Sequence, residues 1–410
     1  MSEPDPKTTA VPTGELWTLR LGLLVTPHFF GSFNQAAIAS MAPVIKKALD
    51  LSYTEVGLIM AAYTAVQAIF GIPGGICTDR FGIGFSIFFG FLLLAGGGFA
   101  FAEADGLSFC LLAAGLMGAG YAFMNPSTAK AVFNWFPRDR RATASSLKQS
   151  GVPIAWMAGA LTLPLAEVVH WQWIMMGLCF MSAGTALIYL PMIRRPDGRN
   201  GETREKVSFS DLWGIIKNKS VLALEINGFL YHAAQQSLYS FITLFMTDAL
   251  RASSGLAAAA LQLVQVGSIS GRLGFGTASD FLFKGRRKPI LVIAAIVSAF
   301  GVFGLNLIDP GWSIYIVFGL VLILGFFLCS GSPIYQTAVM EAVDPRLSGT
   351  AIGYHSSILP AGKAVGAVMF GALVDAFDFD SAWLVTALLV VLAAIVLIAF
   401  FKEAAPEEHS

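Results

Sequence analysis

The chain is 410 residues long, 56% apolar and only 13% charged, with mean hydropathy +0.69 and no net charge. A soluble domain carries about 25% charged residues. These proportions therefore exclude a disordered chain and a nucleic-acid binder with a basic face, and they argue against a soluble enzyme. Four cysteines, Cys77, Cys110, Cys179 and Cys329, each lie in or beside an apolar run and read as small buried hydrophobes, with no redox or metal role.

Residues 1–15 are polar, carry no cleavable signal and are expected to form a cytosolic tail. A helix needs about 20 apolar residues to cross the hydrocarbon core. By that measure the chain is an all-α polytopic membrane protein with twelve spans. They are placed at 18–45, 54–77, 83–103, 107–135, 143–168, 172–192, 221–249, 255–279, 289–308, 312–340, 349–376 and 381–401. The widest gap, 194–220, is polar and holds Pro196, Gly198 and Gly201, with an amphipathic stretch at 207–216 suited to the membrane surface. It divides the chain into an N-terminal six-helix bundle, 16–193, and a C-terminal one, 221–402, followed by a cytosolic tail, 403–410.

Of the 26 Lys and Arg residues, 19 fall on the side of the termini and the central gap. Lys46, Lys47 and Arg251 fall on the other side, and Lys130, Lys148, Arg272 and Lys363 lie within spans. Basic loops stay on the cytosolic side, which predicts that both termini are cytosolic.

The two halves repeat one another. Gly75 and Asp79 follow the second span, as Gly276 and Asp280 follow the eighth. At a single offset of 207, Thr143 pairs with Thr350, Ser150 with Ser357, Pro153 with Pro360 and Gly159 with Gly366. Parallel six-helix repeats are a transporter architecture, with the substrate near the midplane between the halves.

On these residues the chain resembles the major facilitator superfamily over nearly its full length. The resemblance is carried by the spans, the central loop, the Gly75 to Asp79-Arg80-Phe81-Gly82 turn and the Arg138, Arg140, Arg141 cluster before span five. The basic pair that usually follows the second glycine of the turn is replaced by Ile83 and Gly84, and no Arg follows Asp280. The resemblance implies two pseudo-symmetric bundles, transport by alternating access, and gating through Asp79, Arg80, Arg141, Asp280 and Arg346. The partners it implies are Arg138, Arg140 or Arg141 for Asp79, and Arg346 for Asp280. Pro153 and Pro360 remove a backbone bond in mid-span and are read as rocking joints.

Polar residues inside spans are the substrate candidates. They are His28 and Asn34 on span one, Tyr63 and Gln67 on span two, and Tyr121 and Asn125 on span four. Span seven adds His232 and Gln235, span eight Arg272, span ten Tyr335, and span eleven Tyr354 and Lys363. Glu225, about one turn into span seven, either pairs with a basic loop residue or carries a coupling proton. Lys130 and Lys148 can snorkel to water. His28 and His232 are read first as helix-to-helix hydrogen bonders. Arg272 and Lys363 lie too deep for water, with no acid clearly placed to neutralise both.

Two buried cations imply an anionic substrate, a small mono- or dicarboxylate. The span-eight Arg and span-eleven Lys resemble those of the oxalate/formate and monocarboxylate branches. The expected protein is a monomeric secondary transporter of the bacterial inner membrane. Its partners are the lipid bilayer, an organic anion and either a coupling proton (symport) or a counter-anion (exchange). It has no cofactor, metal or catalytic residue. The alternative is a proton-coupled exporter of amphipathic compounds with Glu225 as its proton site.

Overall fold

The computed structural model describes residues 15–136, 141–193, 209–283, 286–344 and 347–403, and every element described is helical. The first half holds α1 (Glu15–Ser40), α2 (Ala42–Ala48), α3 (Tyr53–Phe81), α4 (Ile83–Ala102), α5 (Leu107–Ala122), α6 (Met124–Trp135), α7 (Arg141–Ala160), α8 (Thr162–Leu165) and α9 (Trp171–Ile193). A short amphipathic helix, α10 (Phe209–Lys217), leads into the second half. There follow α11 (Lys219–Leu244), α12 (Ser254–Thr277), α13 (Lys288–Asn306), α14 (Ile314–Leu328), α15 (Ser332–Glu341), α16 (Ser348–Ala376) and α17 (Phe379–Phe400). A π-helical turn extends α11 over Phe245–Ala249 and another extends α12 over Ala278–Leu282.

Several predicted spans are two helices end to end, and proline sets the joint. Pro43, Pro126, Pro164 and Pro333 each stand in the first turn of the second piece, in α2, α6, α8 and α15. Proline is tolerated there because the first turn's N–H groups have no intrahelical partner. Pro153 and Pro360, by contrast, sit inside unbroken helices.

Eight helical stretches are long and apolar enough to cross a membrane by length and composition: α3, α4, Leu107–Val132, α9, α13, Ile314–Glu341, Tyr354–Ala376 and α17. The other long helices, α1, α7, α11 and α12, carry polar side chains that turn inward, including His28, Lys148, Glu225, His232 and Gln265, all buried.

Helix pairing repeats between the halves. The packed pairs α1–α7, α3–α5, α4–α5 and α4–α9 match α11–α16, α12–α14, α13–α14 and α13–α17. The halves join chiefly through α3 on α16 and α7 on α12, so the second long helix of each bundle meets the fifth of the other.

One end of the molecule gathers the start and the finish of the described chain. Arg20 donates to the Trp135 carbonyl at 3.0 Å, Ser220 to the Lys402 carbonyl at 3.0 Å, and Lys288 Nζ to the Phe401 carbonyl at 2.6 Å. At the opposite, far end the halves are clamped. The Asp375 carboxylate on α16 accepts from the Tyr53 amide at 3.0 Å, the Thr54 amide at 2.6 Å and the Thr54 hydroxyl at 2.5 Å. Tyr53 also donates to Asp248 at 2.8 Å, while Lys46 lies 4.2 Å over its ring. A carboxylate at the first turn of α3 meets unpaired N–H groups and the positive end of the helix dipole. Glycine permits the close approach: a Cβ on Gly57 would strike the Ala367 carbonyl, and one on Gly371 the Tyr53 carbonyl. The other hydrogen bonds seen between the halves, Thr243 to the Ala39 carbonyl and Gln262 to that of Met157, also lie toward this end.

Candidate functional site between the halves

Arg272 and Lys363 come together. Lys363 on α16 lies within electrostatic reach of Arg272 on α12, and both act on Cys329. Tyr121 across the interface and Tyr239 on α11 also lie within electrostatic reach of Arg272. Its Nε is buried with no hydrogen-bond partner, and among the described residues neither cation has an acid within ion-pairing distance. The local cause lies in α12, whose Gly267 and Gly271 press its other face onto the α14 backbone and Ser330. Gln265, Ser268 and Arg272, spaced three and four apart, then share one stripe.

Neutral donors and acceptors surround this point. Gln265 lies beside Tyr239 and keeps a buried Nε2 without a hydrogen-bond partner, and Gln235 donates to the Leu328 carbonyl at 3.4 Å, next to Cys329. Tyr121 shares a 2.9 Å hydrogen bond with Ser32. Trp156 stacks on Tyr239 at 4.5 Å, an aromatic contact between α7 and α11. At the offset of 207, Trp156 is the repeat counterpart of Lys363. The repeat thus places one charge and one aromatic face at equivalent depths.

The N-terminal half has its own cation. Lys148 is 3% exposed and donates to Thr128 Oγ1 at 3.2 Å, so it does not snorkel to water as its sequence position suggested. The Thr128 hydroxyl donates to the Met124 carbonyl at 2.8 Å, which leaves its lone pairs for Lys148 and for His28 Nε2 at 2.9 Å. His28 is therefore a helix-to-helix hydrogen bonder.

Other candidates hold the bundles together. Tyr63 donates to the Gly31 carbonyl at 2.9 Å. Asn34 turns away from the interface, donating to Phe30 and, at 3.4 Å, to Ser182 on α9. Tyr335 donates to Asn227, and His232 bonds the Gly228 carbonyl at 2.8 Å and Ser332 at 3.4 Å. Gln67 is half-buried one turn beyond Tyr63, Asn125 is exposed on α6, and Tyr354 is half-buried beside Glu225.

Among the described residues Glu225 pairs with a histidine of α16 and with no basic loop residue. It is 2% exposed and accepts from His355 Nδ1 at 3.0 Å and 3.3 Å. In the signature turn, Asp79 pairs with Lys130 at 3.2 Å, inside its own half. Lys130 reaches it because it is long enough to run past the Thr78 carbonyl, which it also bonds at 3.1 Å. Arg80 lies over the Phe81 ring at 5.4 Å. Arg138, Arg140 and Arg346 lie outside the described residues, as do the side chains of Arg141 and Asp280. Lys148, Trp156 and Asp375 were not legible as site residues. The place of Lys148 depends on partners from two other helices, and the roles of Trp156 and Asp375 depend on the other half.

The model of the Major Facilitator Superfamily matches residues 26–357 and 226–410. The chain belongs to the major facilitator superfamily. Its start points, 200 residues apart, echo the spacing of the two Gly–Asp turns. A hexuronate transporter of Bacillus subtilis is 26% identical over 397 residues, covering 90% of this chain and 91% of its own. The probable galactarate/D-glucarate transporter GudP of Escherichia coli is 25% identical, covering 94% of each. Among solved structures, a bacterial homologue of the human lysosomal transporter Spinster, inward-facing and occupied, superposes with TM-score 0.80. It is 16% identical and covers 96% of this chain and 100% of its own. This facilitator is thus a multi-pass membrane transporter and not an enzyme.

Proposed function

We propose that this facilitator carries sugar acids, hexuronates or the related aldarates, across the bacterial inner membrane as a monomer, by proton symport. The observation that carries the reading is the pair Arg272 and Lys363, two deep cations at the junction of the halves with no acid partner among the described residues. The planar Arg fork takes a carboxylate through two parallel hydrogen bonds, and Lys adds a movable point charge. Gln235, Gln265, Tyr121 and Tyr239 supply the donors and acceptors that a polyhydroxylated chain needs. The names of the two curated relatives support the same class.

The two halves, 16–193 and 221–402, rock about this point, joined by the cytosolic loop 194–220. Both termini are cytosolic, so the clamped far end faces outside. At the cytosolic end Asp79 and Asp280 act as gating carboxylates, with Arg80, Arg141 and Arg346 as their basic partners.

Thermal shift of the purified protein with D-galacturonate, D-glucarate, glucose and a cationic amphiphile tests the reading. The two acids should stabilise the protein in a saturable way, and glucose should not. Arg272→Lys should weaken acid binding about tenfold or more, the size of a lost charged hydrogen bond of ~1.5–3 kcal/mol, while the empty protein melts nearly as before. Stabilisation by the amphiphile alone would favour an exporter. No response to either acid sinks the proposal.

A further inference from the structure

Glu225 and His355 form the most deeply enclosed acid–base pair among the described residues, at 2% and 0% side-chain exposure, on α11 and α16. Glu225 is six residues into α11 and His355 seven into α16, so each lies about 10 Å from the start of its helix. The remaining imidazole nitrogen of His355, Nε2, is buried and bonds nothing. Buried polar atoms are as a rule hydrogen-bonded; the unpaired Nε2 leaves a place for one proton.

We infer that Glu225 and His355 form a single-proton site that couples sugar-acid movement to the proton gradient, an inference that rests on the function proposed above. Without the proton, His355 Nδ1–H donates to an ionised Glu225 and the pair carries one negative charge. The added proton binds Nε2, giving an imidazolium–carboxylate pair; the Nδ1 proton either stays there or passes to the carboxylate, which as a neutral acid then donates to the bare Nδ1 of an Nε2–H imidazole. Either way one proton enters, and the pair becomes neutral. Such a neutral pair crosses the low-dielectric protein with the carrier far more easily than a lone buried charge.

Among the described residues, few charged groups lie near the pair. Tyr354 on α16 lies within electrostatic reach of Glu225, and His232 on α11 within reach of His355. Beyond them Lys363 and Arg272 form the anion site. Glu341 on α15 is held by Arg287 at 3.3 Å, and Lys217 on α10 lies over Trp213. The Asp211 side chain on α10 lies outside the described residues. On α17 the one charged residue is Asp380, at the far end, and the close approaches of α3 to α16 at Gly57 and Gly371 are also toward that end.

Helix α16 links the proton to the substrate. His355 and Lys363 are eight residues apart on it, with Pro360 between them. Proline removes the bond to the carbonyl four residues back and loosens the helix at that point. An anion that draws Lys363 toward Arg272 thereby tilts the segment holding His355. The repeat adds an independent point: at the offset of 207, His355 corresponds to Lys148. The N-terminal half has a fixed cation, bonded to Thr128, where the C-terminal half has a titratable pair.

Proteoliposomes of the full chain, loaded alkaline inside and supplied with labelled D-galacturonate, test this. The wild type should accumulate the label at least tenfold above its level without a pH gradient. Glu225→Gln and His355→Gln should lose that accumulation yet exchange internal for external galacturonate within about threefold of the wild-type rate. Retained gradient-driven accumulation in both variants overturns the proton site, as does a wild type whose uptake ignores the gradient. If the wild type neither binds nor exchanges a sugar acid, it is the substrate reading that has failed. The proton site is then read without ligand, by the infrared difference spectrum between pH 5 and pH 9. A carboxyl band present in the wild type and missing in Glu225→Gln upholds the site; identical spectra reject it.

Discussion

At the residue scale, one carboxylate does much to set the state of the carrier. Asp375 accepts three hydrogen bonds from Tyr53 and Thr54 of the opposite half, at the dipole-positive start of α3. The contact is exposed, so solvent screening reduces its value to about 1 kcal/mol. That is still about a fivefold change in a two-state ratio. Asp375→Asn should therefore raise the far-end-open population about fivefold, measured as the longer distance between spin labels at Lys47 and Phe377. An unchanged distance distribution would leave Asp375 without a gating role. Sequence pattern could not single this residue out, because its partners are backbone amides about 320 positions away. Arg272 and Lys363 were legible because a charge deep in a span is costly whatever its neighbours. Lys148 was misread because its distance from the helix end allowed it to reach water; the Thr128 and His28 side chains that hold it inside come from two other helices.

At the element scale, the signature turn separates two kinds of glycine. Gly82 has φ 88° and ψ 168°, a backbone region that costs any other residue about 1–3 kcal/mol. Gly75 is an ordinary helical residue, and its added Cβ would touch only Pro126 at 4.0 Å. Gly82→Ala should lower the melting temperature by several degrees, and Gly75→Ala should leave it unchanged or raise it slightly. Equal effects would mean that the turn's shape is not what its last glycine supplies. The long helices were legible from apolar run length alone. Their internal joints were not, because run length does not separate a proline that starts a new helix, such as Pro126, from one carried within a helix, such as Pro153.

At the scale of the whole molecule, 19 of 26 basic residues lie on the termini's side by sequence. Single cysteines at Gly201 and Asp309, in a background lacking the four native ones, should show it. An impermeant reagent added to intact cells should modify position 309 and spare 201; the reverse pattern inverts the molecule. The polar load of α11 has a further consequence, for how the protein is made. Its groups are satisfied by helices that follow it in the chain: Glu225 by His355 of α16, Asn227 by the Ala393 carbonyl of α17 at 2.7 Å, and Gln235 by the Leu328 carbonyl of α14. When α11 leaves the ribosome none of these partners exists, and lipid offers no substitute. The seventh span is thus committed to the bilayer only in company. The second half matures as a unit after its last helix is synthesised, whereas α3 and α4 are apolar enough to partition singly.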